Sequence, residues 1–299
     1  MQTDSIHRLL NASLFLAAFT GTALAGSSPG KPESKNVLEP APAPSILSGD
    51  LGVTLRNQYN VRGIIIESKG AVFQPYGDLY VKLYEGKGFI QSFSLQAGFW
   101  GDLNSAGPRA GQDSDWKHFT EFDWDAGFIV KFAERWSLSS FYLQYFSPSD
   151  AYDLGRFINN TLSLNDGGLF GDNFSFQPHF TFLYELPAAG RPGFRPNSWY
   201  LEPGISPNYT LFKKTKTPVT LALPVTLGFG ENFYNGHAYG YTSVGPQVTV
   251  GLGFIPESFG RWNSSFGYRY FHLGEATEAI APGQRSNQHL FNFSVGVAF

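Results

Sequence analysis

Phe291-Asn292-Phe293-Ser294-Val295-Gly296-Val297-Ala298-Phe299 closes the sequence, and every second residue in it is large and apolar. The residues between are small or polar. Successive side chains of a strand point to opposite faces, so this stretch reads as a strand with one ring-rich face and one polar face. The same grammar recurs upstream. Phe122, Trp124, Ala126, Phe128, Val130 and Phe132 alternate with Glu121, Asp123, Asp125, Gly127 and Lys131, Ile129 being an exception. Val219, Leu221, Leu223, Val225, Leu227 and Phe229 alternate with Thr220, Ala222, Pro224, Thr226 and Gly228. Phe174, Phe176, Phe180, Phe182 and Tyr184 alternate with Ser175, Gln177, His179, Thr181 and Glu185.

Followed along the chain, the pattern predicts strands near 50–62, 75–84, 89–101, 119–132, 136–146, 155–164, 174–186, 198–211, 218–229, 241–254, 261–272 and 288–299. The fifth and sixth are the weakest, because their two faces are similar in polarity. No convincing helical period interrupts the series. Connections alternate in length. Those at 85–88, 133–135, 212–217 and 255–260 are short, whereas those at 102–118, 187–197, 230–240 and 273–287 are longer and rich in Gly, Asn, Asp or Pro. Tight turns at one end and long loops at the other are the asymmetry of an outer-membrane barrel, and an even strand number places both ends of the barrel chain in the periplasm. The connection at 165–173 departs from it, being long where a tight turn is expected.

A soluble sandwich also alternates. Three features favour an all-β, transmembrane antiparallel up-and-down barrel of about twelve strands. The apolar face is nearly free of charge, as a lipid-facing surface must be when a charge at the bilayer midplane costs ~2–4 kcal/mol. The opposite face carries Arg56, Asp78, Lys82, Asp123, Asp125, Lys131, Glu202 and Arg269 in mid-strand, a mixture that a polar lumen tolerates. Arg135-Trp136 and Arg261-Trp262 both begin strands after short turns, so Trp136 and Trp262 suit the membrane interface, with the neighbouring Arg reaching headgroups or water. Pro203, Pro207, Pro224 and Pro246 count against unbroken strands, and bulges or N–H-free positions are expected there.

Composition narrows the function classes. The 299 residues carry a formal net charge of -3, which gives no basic surplus for nucleic acid. Aromatics make up 17% of the chain and cysteine is absent, so there is no disulfide framework and no thiolate chemistry. Residues 1–25 read as a secretory signal, with an apolar run from Leu9 and an Ala23-Leu24-Ala25 cleavage site. Residues 26–47 are proline-rich and read as a periplasmic linker, leaving 48–299 for the barrel.

The ending with Phe293, Val295, Val297 and Phe299 resembles the terminal strands of Gram-negative outer-membrane barrels, porins among them. That resemblance implies recognition by the barrel-assembly machinery and an outer-membrane lipid environment reached through the periplasm. A barrel of about twelve strands is wider than one just filled by side chains and narrower than the general porins, so passage of ions or small solutes is expected if side chains and loops leave it open. Tyr59-Asn60-Val61-Arg62-Gly63, the strand through Gly98-Phe99-Trp100, and Glu121-Phe122-Asp123 with Gly127 resemble the opening of an uncharacterised family of conserved hypothetical Gram-negative barrel proteins. That family implies a location and no activity.

The strongest chemical constellation is Glu121, Asp123 and Asp125, about 7 Å apart on one inward face. Such a stripe favours cations, as acidic rings do in pores. Alternatively, Lys131, Lys82, Arg56 or Arg62 neutralise it across the lumen. Catalysis has little support. His118, His179, His237, His272 and His289 form no nucleophile–base or metal-ligand pattern, although Asp113 and Asp115 could touch a divalent ion. His179 is read as a lumen polar group. The expectation is a cofactor-free, non-enzymatic channel, with a closed structural or adhesive barrel as the alternative and a lipid-modifying enzyme third.

Overall fold

A computed structural model describes residues 46–106, 116–149, 154–187 and 197–299. The signal segment, the linker up to residue 45, and Asp113 and Asp115 lie outside the described residues. The strands are β1 (Leu47–Arg56), β2 (Tyr59–Val61), β3 (Ile64–Glu67), β4 (Val72–Glu85), β5 (Ile90–Asn104), β6 (Phe119–Phe132), β7 (Trp136–Phe146) and β8 (Gly155–Leu164). They continue as β9 (Phe174–Ser175), β10 (His179–Glu185), β11 (Trp199–Ile205), β12 (Asn208–Leu211), β13 (Val219–Ala222), β14 (Val225–Phe229), β15 (Tyr239–Val244) and β16 (Gln247–Gly251). β17 (Arg261–Leu273) and β18 (Asn287–Ala298) complete the set.

All but β2 and β3 join one antiparallel sheet, which closes because β1 pairs with β4 on one side and β18 on the other. β9 and β10, β11 and β12, β13 and β14, and β15 and β16 are halves of single barrel strands. The count is therefore twelve, and the expected register of elements holds. Closure leaves no edge and pairs the backbone around the whole circumference, which is what a strand structure needs in lipid.

The polarity of the wall is inverted relative to a soluble protein. Leu51, Leu79, Phe99, Trp124, Phe180, Phe266 and Phe293 are exposed on the outside, while Thr54, Ser94, Asp123, Thr181 and Ser243 are fully buried inside. An outer surface of that kind is stable only against hydrocarbon. Ile129, the exception in the sequence alternation, faces inward in register with Ser94 and Ser139.

Several expectations need correction. The first barrel strand ends at Arg56 rather than at residue 62, and the chain then forms a separate hairpin from β2 and β3. Three of the four flagged prolines, Pro207, Pro224 and Pro246, sit in strand breaks, but Pro203 lies within β11. There the ladder to β14 skips Glu202 and Pro203 while the ladder to β10 continues, so the missing N–H costs no bond on the paired side. The loop before β18 contains a short helix, α1 (Glu275–Ile280), which is too brief to leave a periodic signal. The long connection after β8 is an ordered turn, in which the Asp166 carboxylate accepts the backbone N–H groups of Phe176 (2.7 Å) and Gln177 (2.9 Å).

Candidate functional site

The lumen is the concave surface that gathers the polar side chains. Glu121, Asp123 and Asp125 all point into it and are buried, as the alternation of β6 dictates. Asp78 and Asp125 converge over Gly98, which stands between them in register. A Cβ at Gly98 would meet Asp78 Oδ1 at 2.2 Å and Asp125 Oδ1 at 3.1 Å, so only glycine leaves room for both carboxylates. Gln96 Nε2 donates to each, at 2.7 Å and 3.3 Å. Nearby, Tyr80 donates to Asp50 (3.0 Å) and Gln74 to Asp102 (2.7 Å). The acidic stripe read from β6 is thus part of a larger set that includes Asp50, Asp78 and Asp102.

The basic residues are spread along the lumen, and Arg56 lies within electrostatic reach of Asp102. Lys82 pairs with Glu85 (2.9 Å) near the short-turn end, and Lys131 lies toward that same end of β6, in register with Ser92 and Ser137. Arg269 is buried on β17 and donates to Pro224 O (3.4 Å) and Ser243 Oγ (3.2 Å). Arg56 ends β1 in register with Val72 and Asn292. Arg62 is not on the barrel wall at all. Of the remaining predicted residues, His179 lays its ring over Gly204 on the next strand, and its Nδ1 contacts Gln177 O at 3.1 Å. Glu202 accepts the phenol protons of Tyr200 and Tyr241.

At the short-turn end of the wall, Trp136 is partly exposed, and the Trp262 indole N–H donates to Phe259 O (3.0 Å). Arg135 is half-buried beside Trp136. Its guanidinium donates to Asn165 O (3.2 Å) and Gly167 O (2.9 Å) of the neighbouring turn. Phe293 and Phe299 are exposed, and Val295 and Val297 lie between them on the half-exposed outer side.

The feature that sequence reasoning missed is the hairpin of β2 and β3. Val61 pairs with Ile64 across Arg62-Gly63, whose φ values are +49° and +79°. Two successive positive φ angles are what a two-residue hairpin turn of the primed kind requires. The hairpin folds into the lumen. Tyr59 packs on Trp100 of β5 (centroids 5.4 Å apart) and donates to Glu121 Oε2 (2.8 Å). Burial, and next the Glu121 charge, push the Tyr59 phenol well above its usual range, so it stays protonated and keeps donating. Thr120 donates to Glu67 (3.4 Å) at the hairpin base.

Ile64 and Ile65 enter one apolar cluster with inward residues of strands all around the barrel, from Leu143, Phe157 and Tyr200 to Tyr241, Phe271 and Leu290. Phe233, Tyr234 and Ala276 of the long-loop end complete it. A hairpin that touches so much of the circumference stands near the axis. The Arg62 guanidinium carbon lies 5.9 Å from the Phe157 ring centroid and 5.4 Å from that of Tyr200. Tyr234 donates to Arg62 O (2.9 Å). The sequence signal for this turn was the Arg62-Gly63 pair between Tyr59-Asn60-Val61 and the triple Ile64-Ile65-Ile66.

No family model matches the chain, and no curated protein matches it. Solved structures do. A NanC porin is 12% identical over 84% of this chain and 98% of that one, with a TM-score of 0.44. An outer-membrane channel from Pseudomonas putida F1 is 10% identical over 86% and 97%, with a TM-score of 0.45. The transport unit of the autotransporter AIDA-I from Escherichia coli is 9% identical over 86% and 90%, with a TM-score of 0.41. By its closed antiparallel sheet and its inverted polarity, the chain has the architecture of a transmembrane β-barrel.

Proposed function

We propose that this barrel is a channel for ions or small solutes, shut in this conformation by its own hairpin. The observation that carries this reading is the character of the wall beyond the hairpin. There the inward positions are held by Ser94, Thr161, Thr181, Thr226, Ser243 and Ser294, with Asp78 and Asp125, rather than by bulky apolar groups. A filled apolar core would favour large side chains at those positions, whereas small hydroxyls, buried while the hairpin is in place, leave a polar wall for hydrated solutes once it moves. Glu121, Asp123 and Asp125 bias that path toward cations. The chain acts without a cofactor and without catalysis. Its partners are the outer-membrane lipid against its apolar belt, with Trp136 and Trp262 at the short-turn interface, and the barrel-assembly machinery reading Phe293, Val295, Val297 and Phe299.

A second reading has one observation in its favour. The apolar cluster around Ile64 and Ile65 obstructs the long-loop end, as it would in a permanently closed barrel that works through its loops. Replacing residues 58–70 by a short Gly-Ser link in the full-length protein separates the two in planar bilayers. The expected result is brief, infrequent openings for the intact protein and long steady openings for the deletion. A deletion protein that keeps the heat-dependent electrophoretic shift of a folded barrel yet stays electrically silent overturns the channel reading.

A further inference from the structure

Arg62 occupies a conformation that disfavours it. A non-glycine residue at φ +49° is strained by the approach of its Cβ to the backbone, and Gly, Asn or Asp are the usual occupants of such a turn. Something must hold an arginine there. No acid is paired with it in an ion pair among the described residues, and its Nη2 is buried without a hydrogen-bond partner. What it does have is two aromatic faces. Phe157 and Tyr200, both buried on the barrel wall, lie within cation–π range of the guanidinium.

The Tyr200 ring is tuned for this. Its hydroxyl donates to Glu202, which also takes the Tyr241 hydroxyl proton (2.5 Å). A phenol donating to a carboxylate gains electron density, and its ring face attracts a cation more strongly. Phe157 is in turn stacked against Tyr145 (5.3 Å between centroids, 26° between planes), so the cage wall is fixed by neighbours and not by the hairpin alone. The barrel thus presents a rigid, electron-rich box, and the hairpin tip supplies its guest.

We propose that the Phe157–Tyr200 cage is a binding site for small organic cations bearing a guanidinium or alkylammonium group, and that Arg62 is a built-in occupant competing with them. This names the solute class of the channel reading and rests on that reading only for passage, since binding is measurable on its own. An external cation would take the cage as Arg62 leaves, coupling solute capture to hairpin release.

The test uses methylguanidinium as the probe and the full-length protein in detergent micelles, by titration calorimetry. Arg62→Ala vacates the cage. It is expected to bind methylguanidinium saturably and about tenfold or more tighter than the intact protein, and to ignore urea, the uncharged analogue. Adding Phe157→Leu to Arg62→Ala removes one wall of the box and is expected to abolish the gain. If Arg62→Ala does not give the heat-shifted folded band, Arg62→Gln, which keeps the aliphatic stem, carries the same comparison. Equal binding by variant and intact protein, equal binding of urea, or gain that survives Phe157→Leu each overturns the proposal. Binding without any conductance leaves the cage standing and removes the channel, so the two failures are distinguishable.

Discussion

From Leu47 to Leu164 six barrel strands run unbroken, up to the 15 residues of β5; from Phe174 to Gly251 four successive strands each break once. Each break holds a proline: Pro178, Pro207, Pro224 and Pro246. The sheet survives because proline loses only its donor. The carbonyls of these residues still accept from the adjoining strand, Pro178 from Leu164 (3.0 Å), Pro207 from Leu223 (2.8 Å), Pro224 from Gly245 (3.3 Å) and Pro246 from Tyr268 (3.0 Å). The two regions also differ in lining. Asp50, Asp78, Asp102, Glu121, Asp123 and Asp125 all belong to the unbroken side. The broken side presents mainly hydroxyls, including Thr226–Ser243 (2.6 Å) and Thr210–Thr220 (3.1 Å) pairs between neighbouring strands. A proline belt is therefore compatible with closure where its acceptors are used, and charge is concentrated where the ladder is continuous.

The sharpest way to break this contrast is to move a proline across it. Ala97 faces lipid in the middle of β5, in register with Leu79 and Ala126. Ala97→Pro removes a ladder donor without a pre-shaped break, which in hydrocarbon costs several kcal/mol. The expected outcome is loss of the heat-shifted folded band and of membrane insertion. An Ala97→Pro protein that folds as the parent does would end the distinction between the halves. A smaller effect is expected from the lining. In the protein lacking residues 58–70, converting Glu121→Gln, Asp123→Asn and Asp125→Asn together should bring the cation-over-anion permeability ratio close to unity. The reversal potential in a salt gradient reads it, and an unchanged value would remove selectivity from the unbroken side. Smallest is Pro246→Ala. The backbone there is already accommodated, so the loss is a modest one of chain entropy, about 0.5–1 kcal/mol by urea titration. A larger loss would mean that the belt shapes the barrel rather than merely fitting it.

How much of this was legible follows from what each signal measures. Alternation reports which face is apolar, so the twelve strands and the inward placement of Glu121, Asp123 and Asp125 could be read directly from Phe119–Phe132 and its counterparts. Alternation says nothing about where a strand turns. Tyr59 and Val61 continue the period of β1, and this hid the hairpin. The contrary sign was Ile64-Ile65-Ile66, apolar at consecutive positions and mostly buried, which a wall strand with one polar face does not contain. The destinations of Lys82, Arg135 and Arg62 were not readable either. A long side chain finds its partner through tertiary geometry: Lys82 reaches Glu85, Arg135 the Asn165 carbonyl, and Arg62 two aromatic rings.

The pairing of β1 with β18 has a consequence for biogenesis. Thr54 and Ser294 bond across that seam although they stand 240 residues apart in the chain. Almost the whole polypeptide must be available before the cylinder can be sewn shut, and until then two rows of amides stay thirsty for partners. A polypeptide cut short before β18 would yield no narrower pore, only an unclosed ribbon for proteases.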